Sequence, residues 1–145
     1  MLRGIYKSIN FVKILIYEIM NIPENLKFTK DHEWISIDGN IATIGITDFA
    51  SSELGDIVFV EVETVDEDLD KEESFGSIEA VKTVSEMFMP ISGTVIEFNE
   101  SIEDSPELIN SDPYGEGWII KISVANVDEA NDLLSADNYK AQIEG

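Results

Sequence analysis

From Glu33 onward the apolar residues fall into short runs separated by turn-forming residues, the pattern of a β chain rather than of long amphipathic helices. Trp34, Ile35 and Ile37 form one run, and Ile41, Ala42, Ile44 and Ile46 form the next. Asp38, Gly39 and Asn40 lie between them, and Asp-Gly at such a junction predicts a hairpin. The polar residues 47–54 predict a short helix, and Gly55 and Asp56 open a strand over 57–62. The acidic run 63–73 predicts a solvated loop. Strands follow over 74–81 and 84–89, until Pro90 stops pairing on one side. The last strands are expected over 93–98 and 118–124. Gly55 to Phe59 and Gly93 to Glu97 share a glycine before an apolar strand, a faint internal echo. Over 128–139, Asp128 as cap with Ala130, Leu133 and Leu134 at helical spacing predicts one C-terminal helix.

The first twenty residues differ from this pattern. They are apolar and weakly basic, with Ile5, Tyr6, Ile9, Phe11, Val12, Ile14, Leu15, Ile16, Tyr17 and Ile19 interrupted by Lys7 and Lys13. The unbroken run from Ile14 to Tyr17 is too short to span a bilayer, and no small-residue cleavage site follows it. A transit peptide would be richer in arginine and serine than this stretch, which has only Arg3 and Ser8. The expected division is a terminal extension over 1–20, disordered, loosely helical or not native, and a single domain over 21–145. A chain of 145 residues with 43% hydrophobic content suits one modest core.

Charge narrows the partners. Thirty acidic residues against nine basic ones give a formal charge of −21, so nucleic acid and anionic membranes would repel the folded body. Partners with basic surfaces are expected, and the chain is expected to be a monomer. With no cysteine there is no disulfide, thiolate metal site or cysteine nucleophile. His32 is the one histidine, too few for a histidine metal centre, and beside Trp34 it is expected to be packed or hydrogen-bonded rather than a general base. The chain is therefore not expected to be an enzyme. Lys82 is the candidate working residue: an amine at a hairpin tip among acidic neighbours suits covalent attachment of a prosthetic arm. Taken without its surrounding motif it reads rather as a plain surface lysine.

The surroundings of Lys82 change that balance. Glu79, Ala80, Val81 and Lys82, followed by Pro90, Ile91, Ser92, Gly93, Thr94 and Val95, resemble the lipoyl attachment hairpin of glycine cleavage system H proteins. Phe28 to Trp34, Ile44 to Asp48, Leu54 to Val60, Leu108 to Trp118, and Leu133, Leu134, Ser135, Ala136 and Tyr139 are similar to further blocks of that family. The resemblance runs from about Asn21 to Gly145. It implies a mainly β fold, the flattened lipoyl/biotinyl-type β-barrel (barrel-sandwich hybrid), with short helices and a C-terminal helix.

The resemblance further implies a carrier whose Lys82 is joined by an amide to lipoic acid. Glycine decarboxylase would load an aminomethyl group, aminomethyltransferase would pass the one-carbon unit to tetrahydrofolate, and dihydrolipoyl dehydrogenase would reoxidise the dithiol. A lipoate ligase or lipoyl/octanoyl transferase would attach the arm. Glu79 and Gly93 match the family's ligase-recognition and turn positions, and Gly93 can equally serve backbone geometry alone. Glu33 and Glu86, with Asp31 as a third, match positions expected to shield the cationic intermediate, although Asp31 stands where the family often has a small hydroxyl residue. Asp66 and Glu72 replace turn glycines, and Glu72 suggests a differently shaped turn. Three rivals remain. A biotin carrier would usually have methionines in place of Val81 and Thr83; a specialised lipoyl donor would keep the arm; an acidic adaptor would need no modification. The expected location is the cytoplasm, with the mitochondrial matrix as alternative.

Overall fold

A computed structural model describes residues 21–144, and the hairpin at Gly39 lies within the larger of its two sheets. Strands β2 (Glu33–Asp38) and β3 (Ile41–Ile46) pair in register from Glu33↔Ile46 to Asp38↔Ile41, with Gly39 at φ 64 supplying the left-handed turn. Around them stand β1 (Lys27–Phe28), β5 (Asp68–Leu69), β8 (Gly93–Phe98) and β9 (Ile120–Val124), giving the antiparallel order β1-β2-β3-β9-β8-β5. A second, three-stranded sheet has the order β4-β6-β7, from β4 (Ile57–Glu61), β6 (Ser74–Ala80) and β7 (Val84–Phe88). Alternate residues of both sheets meet in one core: Ile35, Ile44, Val95 and Ile122 from the larger, Val60, Ile78 and Met87 from the smaller. The fold is mainly β and of the lipoyl type expected, built as two sheets over a shared core that do not close into a continuous barrel.

Helix α1 (Asp48–Leu54) falls where the polar segment predicts it. The Thr47 hydroxyl caps it by accepting from the Ala50 N–H at 3.1 Å, and Gly55 ends it at φ 83. Two single-turn helices, α2 (Ser101–Asp104) and α3 (Leu108–Ser111), fill the β8–β9 connection and bury Ile102 and Ile109. A second cluster of Leu26, Phe28, Trp34, Ala136, Tyr139 and Ile143 seats the last helix, α4 (Ala136–Glu144), with the Phe28 and Tyr139 rings stacked at 4.8 Å.

Two expectations need correction. The acidic segment 63–73 is not all loop, because β5 within it pairs with β8 through Asp68↔Thr94 and Leu69↔Gly93 and buries Leu69. One leucine among carboxylates carries too little periodicity to announce a two-residue strand. The C-terminal segment is not one helix over 128–139. A 3-10 turn, Val127–Asp132, capped by Asn126 rather than Asp128, is followed by Leu134 in a β-bridge to Phe28, and only then by α4. The two hydrogen bonds between Leu134 and Phe28, at 2.8 and 2.9 Å, hold the backbone extended where helical spacing predicts a turn. At the two positions expected to replace turn glycines, Asp66 and Glu72 both adopt the left-handed φ of 74.

The expected extension over 1–20 lies outside the described residues. Among those described, no helix is long and apolar enough to cross a membrane.

Candidate functional site

The β6–β7 hairpin presents Lys82. Glu79 pairs with Val84, and the Ala80 N–H donates to the Thr83 carbonyl at 2.8 Å, which leaves Val81 and Lys82 alone in the turn. The Val81 N–H donates to the Asp56 carbonyl at 3.3 Å and ties the tip to the start of β4. Lys82 is exposed and has no hydrogen-bond or ion-pair partner among the described residues. A held backbone and a free amine are what acylation requires.

Glu33, on β2 of the larger sheet, meets the far end of the hairpin strand β7 at Phe88. The backbone turns at His32 through φ 73, with the His32 N–H on the Thr29 carbonyl and the Thr29 N–H on the Glu33 carbonyl, and this reversal carries the Glu33 side chain inward. There Glu33 is 2% exposed. Its carboxyl accepts from the Thr29 hydroxyl at 2.5 Å and from the Phe88 N–H at 3.3 Å. Burial pushes the carboxyl up to about 7; the bonds from Thr29 and Phe88 oppose the rise, and the neighbouring Asp31 charge adds to it. Glu33 lines a cavity of about 230 Å³ with Asp31, Glu72, Phe28, Phe88 and Met89, and Lys30 also lies on its wall. Lys71 and Asp132 also line it, 3.8 Å apart. Phe88 ends the strand that begins beside Lys82, about 13 Å along β7 from Val84 at the usual rise per residue.

The other expected residues divide between these places. Asp31 is exposed beside Glu33, its N–H on the Thr29 hydroxyl at 3.2 Å. Glu86 is not there: it lines a separate depression of about 290 Å³ with Glu61, Glu63 and Ser77. Glu79 is exposed on β6, three residues before Lys82. Gly93 is buried in the larger sheet, where a side-chain carbon would overlap the Ser123 carbonyl oxygen, so space between β8 and β9 requires glycine.

His32 is packed and hydrogen-bonded as expected. Its Nδ1 lies 2.8 Å from the Tyr139 hydroxyl, itself 2.7 Å from the Thr47 hydroxyl, and burial lowers the imidazole pKa. Among the described residues, no group of three or more acidic or histidine side chains is placed to hold a metal. Sequence reasoning misses Thr29 and the Phe88 N–H. The signal for Thr29 is its place before Lys30, Asp31 and His32, where a hydroxyl can close a turn on the second residue ahead. A backbone donor leaves no trace in side-chain pattern.

A family model described as "Glycine cleavage H-protein" matches residues 26–145. Two curated proteins called "Glycine cleavage system H protein" are similar over most of their length. That of Bacteroides thetaiotaomicron is 55% identical over 126 residues, 87% of this chain and 100% of the relative. That of Staphylococcus carnosus is 52% identical over 124 residues, covering 86% and 98%. A crystal structure of a glycine cleavage system H protein from Mycobacterium marinum superposes with a TM-score of 0.77 at 39% identity, covering 84% of this chain and 98% of that one.

Proposed function

The chain belongs to the glycine cleavage H-protein family, and from that premise we propose that Lys82 is its lipoyl attachment residue and that the Glu33 cavity receives the loaded end of the arm. As a member of the family it is a carrier rather than a catalyst, bears lipoic acid covalently, and serves glycine decarboxylase, aminomethyltransferase and dihydrolipoyl dehydrogenase. The lipoyl group supplies the dithiol–disulfide chemistry that a chain without cysteine lacks. The residues present fit it, since a free lysine in a braced turn and a half-apolar cavity with a buried carboxyl stand at the two ends of one strand.

The single observation that carries the proposal is the exposed Lys82 amine, without a hydrogen-bond or ion-pair partner among the described residues, in a turn held from both sides. In the cavity, Glu33 is oriented by Thr29 and the Phe88 N–H, while Phe28, Met89 and Leu133 give it an apolar side. A cationic amine entering there would draw the Glu33 proton off and be held as an ion pair in low dielectric. Asp31 at the rim adds negative potential. Glu79 and Glu86 lie away from this cavity, so we assign them to partner recognition. Tethering raises the effective concentration of the intermediate at each enzyme in turn.

Attachment by a lipoate ligase or an octanoyl/lipoyl transferase, a monomeric state, a cytoplasmic location and a single domain from about Asn21 complete the proposal. The bacterial relatives and the family match from residue 26 support it. Intact mass and peptide mapping of the chain co-expressed with a lipoate ligase and supplied with lipoate test the attachment. A lipoyl-amide increment confined to Lys82 is expected, and absent from Lys82→Arg; an increment on another lysine, or none with an active ligase, would overturn it.

A further inference from the structure

Glu33 owes its inward aim to the residue before it, and that residue is held from the far end of the chain. His32 keeps a left-handed backbone, φ 73, which a side chain other than asparagine or aspartate adopts only when its surroundings hold it there. Its N–H donates to the Thr29 carbonyl at 3.2 Å, and its own carbonyl accepts from the Thr47 N–H at 3.0 Å. The imidazole is held as well: Nδ1 lies 2.8 Å from the Tyr139 hydroxyl, which lies 2.7 Å from the Thr47 hydroxyl. The contacts from His32 to Tyr139, on to Thr47 and back to His32 therefore close into a ring. Tyr139 and Thr47 are both fully buried. Helix α4 grips the same turn at two further points, where Gln142 Nε2 donates to the Lys30 carbonyl at 3.1 Å and the Tyr139 ring stacks on Phe28.

We propose that Tyr139 is the positioning residue for Glu33: through His32 it fixes the turn that aims the carboxyl into the cavity, which makes the C-terminal helix part of the site that receives the arm. The proposal rests on Glu33 being the residue that meets the loaded arm. It adds a residue that does not itself line the cavity.

The hydroxyl is what sets Tyr139 apart from a core residue. For stacking on Phe28 alone a phenylalanine would serve, and a phenolic oxygen taken out of water needs partners. Both of its partners hold the same turn, His32 by its ring and Thr47 through the N–H on the His32 carbonyl. Thr47 also caps α1 by accepting from the Ala50 N–H, so the turn, α1 and α4 all meet at two buried hydroxyls. The Glu33 carboxyl has only the Thr29 hydroxyl and the Phe88 N–H to hold it in the cavity. A turn free to relax would let it move toward water, and burial is the largest cause of its raised pKa. The other charged groups around it are Lys30 and Asp31 on the same turn, Lys71 and Glu72 before β6, and Asp132 before α4. His32 gains charge only below its ordinary range, because burial lowers its pKa. Removing an uncharged hydroxyl leaves those five charges in place, so a shift in the Glu33 titration reports the position of its carboxyl.

The test is the titration of the Glu33 carboxyl, read by carbon-13 NMR of the full chain labelled at glutamate and assigned with Glu33→Gln. Tyr139→Phe, which keeps the ring on Phe28, is expected to lower the midpoint by about one pH unit from about 7, a tenfold loss of proton affinity. His32→Asn added to Tyr139→Phe is expected to recover most of that shift, because asparagine takes up a left-handed backbone without being held. Ile143→Ala, which loosens the packing of the same helix, is the control: the urea midpoint falls and the Glu33 midpoint stays at the native value. A folded Tyr139→Phe chain with the native midpoint would overturn the positioning role. An equal shift in Ile143→Ala would overturn it too, leaving helix packing as the cause. The reading beneath the proposal is tested apart, on the lipoylated chain loaded with the aminomethyl group and freed of enzymes. Glu33→Gln is expected to release ammonia and formaldehyde to water several-fold faster than the native chain. An unchanged rate would remove Glu33 from the arm's site, even where Tyr139→Phe had moved its titration.

Discussion

Glu33 combines burial with three charged or polar neighbours, and its behaviour follows from that balance. Its carboxyl is up at about 7 from the ordinary 4.5, with desolvation the largest cause. Between these values the folded chain keeps a proton that the unfolded chain has lost, so the folded state binds more protons and stability falls as pH rises. Over the full interval the fall is at most about 3 kcal/mol, at about 1.4 kcal/mol per unit. Glu33→Gln is expected to flatten this slope: urea midpoints at pH 5 and pH 8 should diverge for the native chain and stay close for the variant. Parallel pH dependences in the two proteins would contradict the buried carboxyl. The same property suits a carrier, since an empty cavity need not hold an unpaired charge and a cation that enters creates its own counterion. That Glu33 and Lys82 are candidates was legible from their surrounding residues. That Glu33 is reached through a left-handed His32 and held by a backbone N–H was not, because both depend on φ angles set by tertiary contacts.

Among the elements, β8 and the turns around β5 carry the clearest expectations. Gly93→Ala would drive a methyl into the Ser123 carbonyl and is expected to cost about 2 kcal/mol or more, read as a lower urea midpoint. Acylation of the folded fraction at Lys82 should persist; its loss in a fully folded variant would instead give Gly93 a recognition role. The left-handed backbone of Glu72 costs about 1–2 kcal/mol, partly offset by the entropy a glycine would add to the unfolded chain. Glu72→Gly is therefore expected to stabilise by about 0.5 kcal/mol, and a destabilised variant would show that the Glu72 side chain contributes more than its backbone strain costs. Elements with their own periodicity or turn chemistry, the β2–β3 hairpin and α1, were legible in the sequence. Strand β5 and the break before α4 were not, because single partners, Gly93 for Leu69 and Phe28 for Leu134, decide them across long sequence separations.

For the whole molecule, a body of charge −21 with exposed apolar residues on the hairpin beside Lys82 fits the proposed carrier, for which brief docking on basic enzyme surfaces is expected. Cysteine's absence and the lone histidine already excluded thiolate and histidine-rich sites, and several blocks in family order pointed to the carrier family. The division of the acidic residues between an inner cavity and an outer face emerged only when both ends of the hairpin sheet could be placed. The role of Lys82 as the carrier's attachment point is tested most directly by glycine-dependent release of carbon dioxide in a system reconstituted from glycine decarboxylase, aminomethyltransferase and dihydrolipoyl dehydrogenase. The lipoylated chain is compared with its unmodified form and with ligase-treated Lys82→Arg. Sustained turnover is expected with the lipoylated chain alone, and a background rate with both others, although both fold. Turnover supported by folded Lys82→Arg would contradict that role.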